Sequence, residues 1–471
     1  MTAPVWKRIL KWIAGLFSSA LALAIVAYLT LVAINWRDEP PSEAAERLTA
    51  AYRDRPPIPD ADNAYVYTMG LVVGPDGDPR EAGIRRIEWM RTLSGNLSAP
   101  ASNDPVPAYD GYLSSRSPAI KKISEACWRP TPECAGELDR GEDTLRAWVA
   151  SEQWLLDRYL TVLRHPGWLE SVPFDARAPL VVSSPLFEGQ KLLLVRAYLL
   201  ASENDAAGVR ELLGNDARFW RRVLASSDVL ITKMIATAAL TRTFETGNLV
   251  LRRLPAQSQL NAIPTEWTEA FSRTERSMLR CLTGEWLFSQ QMLKQAIASE
   301  PPFGDFADAH EQTFVNRMLS EALGLLFLPQ DLSNRQADTI IRAAGALDVP
   351  FEQLSAGLER AHAIFKDPTA DRSTLAMLYN PFGSFLLELT TPAYASYPVR
   401  VTDLEGTRRA AVLTTLLRAQ KINEQNMAAE LEASELRGPY NAAPFIWNAK
   451  ERAVEFIGRV EGERGRHTFP Y

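Results

Sequence analysis

The 471-residue sequence predicts a mainly α-helical protein with an N-terminal transmembrane helix, followed by an exported multi-helix array and a small β-hairpin or sheet element. Three observations support this fold class. A long uncharged apolar run lies near the N-terminus, apolar residues recur at helical spacing through most of the chain, and two short runs near the C-terminus alternate. The composition, 46% hydrophobic and 23% charged, is that of a globular chain, so collagen-like, low-complexity and wholly disordered proteins are excluded.

The membrane segment is predicted from charge and length. No charged residue lies between Trp12 and Trp36, and about 20 apolar residues are enough to span a bilayer. A cleaved signal peptide is the alternative, but its apolar region is usually only about 7–15 residues long. We therefore predict an uncleaved anchor at residues 12–36 that contacts the lipid bilayer. Three basic residues precede it and place the N-terminus on the cytoplasmic side: Lys7, Arg8 and Lys11.

The charge balance argues against nucleic acid and anionic lipid as partners of the exported part, and the excess of Arg over Lys indicates a bacterial origin. The 57 Asp and Glu outnumber the 51 Lys and Arg, so we expect no nucleic-acid partner, which would need a basic patch. The same acidity argues against electrostatic attraction of the exported part to anionic lipid. Arg outnumbers Lys by 41 to 10, which is typical of a high-GC bacterial genome. We therefore expect a single-pass protein of a bacterial inner membrane, with most of the chain in the periplasm.

Five regions are expected along the chain. Region 37–62 is rich in proline and charge, which is typical of a stalk. The β-prone run at 65–73 is expected to complete one small sheet with the alternating runs at 445–447 and 454–457. The predicted regions are a cytoplasmic N-terminus (1–11), the anchor (12–36), the stalk (37–62), a helical periplasmic domain (63–400) and a C-terminal helix with a β-hairpin (401–471).

Helical spacing recurs along most of the exported part. No 34-residue self-similarity is present, so a non-repeating helical array is expected rather than tetratricopeptide-type repeats. Ser333 and Gln336 have the spacing of a capping box. The predicted helices cover 80–92, 142–163, 186–202, 206–213, 217–254, 265–298, 307–326, 333–346, 351–365 and 407–433.

The cysteines fit an oxidising compartment. Cys127 and Cys134 enclose a six-residue loop with two prolines, which favours a disulfide over two unrelated thiols. Zinc would need four ligands, and no neighbouring Cys or His supplies the remaining ones. Cys281 lies in an apolar helical pattern and is expected to be a core residue.

No catalytic, cofactor-binding or metal-binding residue is predicted. His310 and Glu311 begin like the helical zinc-protease motif, but Phe314 replaces the second His that would grip the metal. His165, His362 and His467 have no evident partner in the sequence. A nucleophile elbow and a phosphate-binding loop are both missing from the sequence.

Three carboxylates on apolar faces are left open as functional or structural: Glu152, Glu285 and Glu388. Buried carboxylates are usually paired with Arg, which favours a structural role. Two carboxylates about 5–9 Å apart in a cleft would instead suggest glycoside hydrolysis, for example of murein. Tryptophans cluster at 128–168, and core packing is favoured there over an aromatic groove.

Seven short stretches have a common likeness: 63–65, 70–71, 78–79, 380–383, 386–387, 408–410 and 438–445. Together they resemble a loose class of uncharacterised bacterial proteins with one N-terminal membrane helix and a helical exported domain. Gly438 and Ala443 stand where a turn of that class usually has Asp and Gly. The resemblance implies architecture only, because no established activity belongs to that class.

From these observations we expect a non-catalytic function, that of a membrane-anchored periplasmic scaffold or binding protein that interacts with another cell-envelope protein. The alternative is an envelope hydrolase that acts on murein or peptide through buried carboxylates such as Glu152 or Glu285.

Overall fold

The computed structural model describes residues 5–93, 104–127, 129–171, 174–175, 177–298, 321–322, 324–373 and 375–471. It is mainly helical, as predicted, with one small antiparallel sheet. Short 3₁₀ turns connect several of the later helices. The helices are Val5–Ile34 (α1), Glu43–Arg53 (α2), Ala64–Gly70 (α3), Pro79–Leu93 (α4), Leu113–Arg116 (α5), Pro118–Ala126 (α6), Pro132–Arg140 (α7), Glu142–Ser151 (α8), Gln153–Arg164 (α9), Ser183–Ser202 (α10), Ala206–Ser226 (α11), Leu230–Arg253 (α12), Ala256–Ala262 (α13), Thr265–Thr268 (α14), Arg273–Arg276 (α15), Leu279–Ala298 (α16), Pro329–Leu347 (α17), Leu354–Lys366 (α18), Pro381–Thr390 (α19), Tyr397–Ala419 (α20) and Met427–Ala433 (α21).

The first helix is long and apolar enough to cross a membrane over Ile9–Ile34. Its most apolar stretch is not buried in the protein, whereas a core helix of a globular domain would be. Large apolar side chains such as Leu16, Phe17 and Leu23 are exposed on all sides of α1. The candidate membrane helix therefore lies where the sequence predicts it.

The centre of the body is the long helix α12, which packs against α10, α11, α16 and α20. Large rings on α12 and on its neighbour α11 are almost completely buried, including Phe244, Trp220 and Phe219. Burial of such side chains removes the largest apolar areas from water and dominates the stability of the core. The main core therefore lies around α12.

The sheet has three antiparallel strands at the C-terminus, Ile446–Asn448 (β1), Ala453–Ile457 (β2) and Arg466–Pro470 (β3), in the order β1-β2-β3. Trp447 pairs with Val454, and Glu455 pairs with Thr468. Strands β2 and β3 pack on α20, and β3 also packs on α12. The predicted hairpin is confirmed, and its third strand comes from the last residues of the chain.

The prediction that residues 65–73 join this sheet is wrong. They contain helix α3, which starts at Asn63, whose side chain accepts a hydrogen bond from the Tyr65 amide. A Cβ atom on Gly70 would lie 1.8 Å from the Pro79 carbonyl oxygen, so glycine allows α3 and α4 to cross in close contact. This tertiary contact overrides the strand preference of the β-branched and aromatic residues.

Several predicted helices have different limits in the structure. The 142–163 helix breaks at Glu152, and the 217–254 helix breaks before Leu230, whereas 206–226 is one helix without the predicted gap. The 265–298 segment forms three helices, and the 407–433 segment breaks near Lys421, which has a φ of 55°. The predicted capping box at Ser333 is wrong, since α17 already begins at Pro329. Most of the predicted 307–326 helix lies outside the described residues.

Region 37–62, expected as a stalk, contains helix α2, which packs against α16 and α17. Ala45 and Leu48 on α2 belong to the main core. The region therefore contributes to the body over part of its length, which differs from a spacer that holds the body away from the membrane.

Candidate functional site

A cavity of about 520 Å³ opens between α12, α20, the C-terminal sheet and the loop that follows Cys127. Helix α12 lines it with Thr237, Thr241 and Glu245, which follow one another at intervals of four residues. Helix α20 adds Arg400 and Asp403. Because residues four apart share one helical face, two helices each turn a polar stripe toward the same space.

The wall of the cavity contains a His–Glu pair. His467 Nδ1 lies 2.8 Å from Glu245 Oε1, and both side chains are largely buried. The imidazole stacks on the Phe456 ring, with 5.7 Å between the ring centroids. A carboxylate at Nδ1 favours the tautomer with the proton on that atom. Glu245 therefore fixes the orientation of the ring and leaves Nε2 as the unprotonated nitrogen.

Asp403 holds the loop between β2 and β3 against α20. Its carboxylate accepts hydrogen bonds from the Arg459 amide at 3.0 Å, from the Val460 amide at 3.1 Å and from the Tyr440 hydroxyl. Burial raises the pKa of this carboxyl. These bonds satisfy the buried oxygens, and they position the loop that forms part of the cavity wall.

The charged side chains around the cavity fall into two groups. Arg466 is paired with Glu455 at 2.9 Å, and Arg129 is paired with Glu463 at 2.6 Å. Within the described residues, Arg400 and Arg464 have no carboxylate within ion-pairing distance, although both line the cavity. The Arg400 guanidinium lies over the Tyr397 ring, with 5.2 Å between its central carbon and the ring centroid. Because no carboxylate of the described residues neutralises Arg400 or Arg464, both can meet a negatively charged group from outside.

Cys127 lies on the cavity wall, and its sulfur is 2.11 Å from that of Cys134, the separation of a disulfide. Thr131 begins helix α7 by accepting a hydrogen bond from the Cys134 amide at 3.2 Å. Together with the Arg129–Glu463 pair, this loop connects α6 and α7 to the C-terminal part of the chain. Cys281 is buried, as expected of a core residue.

Glu152 has a structural environment. It is buried at the break between α8 and α9, and it accepts hydrogen bonds from the Leu113 amide and the Trp148 indole nitrogen, both at 2.7 Å. Both carboxylate oxygens are thus occupied by buried donors. Glu152 does not line the cavity.

Glu285 and Glu388 also lie apart from the cavity. Glu285 accepts a hydrogen bond from the Leu230 amide at 2.9 Å, and burial raises its pKa. It therefore satisfies a free donor at the start of α12. Glu388 is exposed on α19 and accepts a hydrogen bond from the Thr369 hydroxyl at 2.9 Å. Among the described residues, no two of these three carboxylates share a hydrogen-bond partner.

Sequence reasoning missed Glu245 and His467. The signal for Glu245 is the polar stripe on an otherwise buried helix, and the signal for His467 is its alternation with the apolar Phe469 in an otherwise polar tail. Their pairing has no local signal in the sequence, because 222 positions separate them.

The other residues that the sequence analysis singled out either lie in the core or fall outside the described residues. Trp148 and Trp168 are buried in the main core, while Trp128 and His310 lie outside the described residues. Across the described ranges, no group of three or more His, Cys, Asp or Glu side chains could hold a metal ion.

Comparison with known proteins gives no relative: no family model, no curated protein and no solved structure matches the chain.

Proposed function

We propose that the protein is a membrane-anchored binding protein of the bacterial inner membrane, which holds another component of the cell envelope at the cavity between α12 and α20. The observation that carries the proposal is the pair of arginines, Arg400 and Arg464, that line this cavity without a carboxylate partner among the described residues. Arg guanidinium groups bind carboxylates with two parallel hydrogen bonds, so they indicate an acidic group on the ligand.

The rest of the cavity supports a peptide-like ligand. Its volume of about 520 Å³ falls within the range of about 300–1,000 Å³ that is typical of ligand sites. Threonine hydroxyls and carboxylates of both helices lie beside the arginines, so the cavity can bind positive, negative and neutral polar groups. A peptide segment with an acidic side chain or a free carboxyl end has this chemistry.

The test is a cross-link and pull-down from native membranes, using a tag after Tyr471. We expect the wild-type protein to recover a discrete envelope partner, and the Arg400→Glu/Arg464→Glu variant to lose it. Arg360→Glu is the matched control, because Arg360 is exposed on α18 and does not line the cavity. Equal recovery of the partner by all three proteins would contradict the role of the cavity, and recovery of the protein alone would contradict the binding function.

The Glu245–His467 pair favours a second candidate, an envelope hydrolase that acts on murein or peptide. In that case His467 would take a proton from a water molecule whose oxygen attacks the carbonyl carbon of a peptide bond, and it would return that proton to the leaving amine as the C–N bond breaks. Glu245 would hold the ring and stabilise its charged form. Glu152 and Glu285 would have no part in the reaction at this cavity, since neither of them lines it. Turnover of murein fragments or peptides that is lost in both His467→Asn and Glu245→Gln would favour this candidate.

A further inference from the structure

Helix α19 and the turn before it expose an unusual number of large apolar side chains. Phe385 is 57% exposed and Leu389 is 65% exposed, and because they are four residues apart they share one face of α19. Leu375 is 78% exposed and Leu378 is 41% exposed in the preceding turn. We call these four residues the α19 patch.

The α19 patch lies in a stretch with almost no charge. Glu388 is the one charged residue in the sequence between Ser373 and Arg400. Surface helices of a soluble domain normally carry charged residues on their solvent face. Exposed apolar clusters of this kind mark a surface that is covered by another protein or by lipid.

Hydrogen bonds connect the patch to the end of the candidate membrane helix. The side-chain nitrogen of Asn35 donates to the Leu378 carbonyl oxygen at 3.0 Å, and its side-chain oxygen accepts from the Asn380 amide at 2.5 Å. Seven residues earlier on α1, the Tyr28 hydroxyl donates to the Ala322 carbonyl oxygen at 3.0 Å. One face of the last two turns of α1 therefore lies against the body beside the patch.

These contacts place the patch at the level of the bilayer surface. At 1.5 Å per residue, the apolar stretch from Trp12 to Ile34 is about 33 Å long, close to the thickness of about 30 Å of a bilayer core. Asn35, and the patch residue Leu378 that it contacts, therefore lie near the end of the hydrocarbon. Tryptophan is enriched where the hydrocarbon meets the headgroups, which fits the exposed Trp36 at this depth.

Further hydrogen bonds attach the patch to the body and to the end of α1. The buried Asn380 has a φ of 52°, accepts from the Gly383 amide at 3.0 Å at the start of α19 and donates to Asp331 at 2.7 Å. Asp38, just after α1, accepts from the Gln330 and Asp331 amides at 2.8 and 3.0 Å. The ends of α1, α17 and α19 are therefore joined by one buried polar cluster.

We propose that the α19 patch inserts into the surface of the same bilayer that α1 spans, in the leaflet reached by the C-terminal end of α1. The contact is apolar and uncharged, so it does not depend on anionic lipid. This inference rests on the proposed membrane span of α1. It gives the body a second attachment, which fixes its orientation on the membrane and the direction in which the cavity between α12 and α20 faces.

The test places an environment-sensitive fluorophore on single introduced cysteines of the full-length protein in lipid nanodiscs. The lipids carry a nitroxide quencher on the acyl chain, near the headgroup in one set of nanodiscs, to report the patch, and near the end of the chain in another, to report Leu21. The test positions are Leu389→Cys and Phe385→Cys, Leu21→Cys in α1 reports the membrane span, and Ile457→Cys is the matched exposed control on the sheet. Unsubstituted protein gives the labelling background, since Cys281 is buried and the other two sulfurs lie at disulfide distance.

We expect quenching of about twofold or more at Leu389, Phe385 and Leu21, because interfacial helices bury their apolar face about 5–10 Å into the boundary region, and little quenching at Ile457. Quenching at Leu21 without quenching at Leu389 and Phe385 overturns the patch proposal and leaves the span intact. A shielded fluorophore at Leu389 that the lipid nitroxide does not quench overturns it in favour of a protein contact. Absence of quenching at Leu21 overturns both the span and the patch proposal.

Discussion

At the scale of single residues, Glu170 shows how buried charges are used in this protein. Its carboxylate accepts hydrogen bonds from the Asp228 amide at 2.5 Å, the Val229 amide at 2.9 Å and the Thr232 hydroxyl. Burial raises the pKa of Glu170 to about 7, and the negative charge of Asp228 adds to this effect. Asp228 is itself paired with Arg55 and with Arg280. The group braces the end of α11 against the start of α12.

We predict that Glu170 makes the free energy of unfolding fall as the pH rises from about 4.5 to about 7. In that window the native carboxyl keeps a proton that the unfolded carboxyl has lost, so a rise in pH favours unfolding, by at most about 3 kcal/mol. Glu170→Gln cannot ionise and should remove this fall. Urea unfolding of both proteins at a series of pH values checks it, and parallel pH curves would contradict it.

At the scale of secondary-structure elements, buried polar side chains decide where helices end. Glu152 separates α8 from α9, and Glu285 satisfies the first amide of α12. Asn380 acts in the same way, because it begins α19 and joins it to α1. Within α20, the Arg408 and Arg409 side chains pair with the buried Glu405, so these two arginines have a structural role.

Removal of the Glu152 carboxylate should destabilise the fold. Glu152→Ala leaves the Leu113 amide and the Trp148 indole nitrogen without acceptors, which we expect to lower the free energy of unfolding by about 2–4 kcal/mol. Denaturant unfolding followed by tryptophan fluorescence measures the loss. Asp157→Ala, at an exposed position of α9, is the control and should change stability by less than about 0.5 kcal/mol. Equal stabilities of the two variants would show that Glu152 is not a structural brace.

At the scale of the whole molecule, the apolar α1 and the helical body are joined directly. Residues just after α1 cap α17 and contact the start of α19, and α2 then contributes to the core. Periplasmic placement of the body remains a prediction from the basic residues before the anchor.

The topology is tested with reporter fusions after residue 60. An alkaline phosphatase fusion should be active, because positive charge before the anchor retains the N-terminus in the cytoplasm and sends the chain beyond the anchor across the membrane. A β-galactosidase fusion at the same position is the control and should be inactive. The opposite result from two expressed fusions would reverse the orientation.

Local sequence patterns were enough to specify the features that depend on neighbouring residues: the long apolar helix near the N-terminus, the helical stripes, the turn between β1 and β2, and the closeness of Cys127 to Cys134. These features rest on periodicity, chain length and local loop closure, which act within a few turns of helix. Long-range packing specified the others. Residues 65–73 became a helix because of the close crossing with α4, and the third strand came from 466–470. Glu245 and His467 form a site only because β3 packs on α12, a contact between distant parts of the chain that no local pattern specifies.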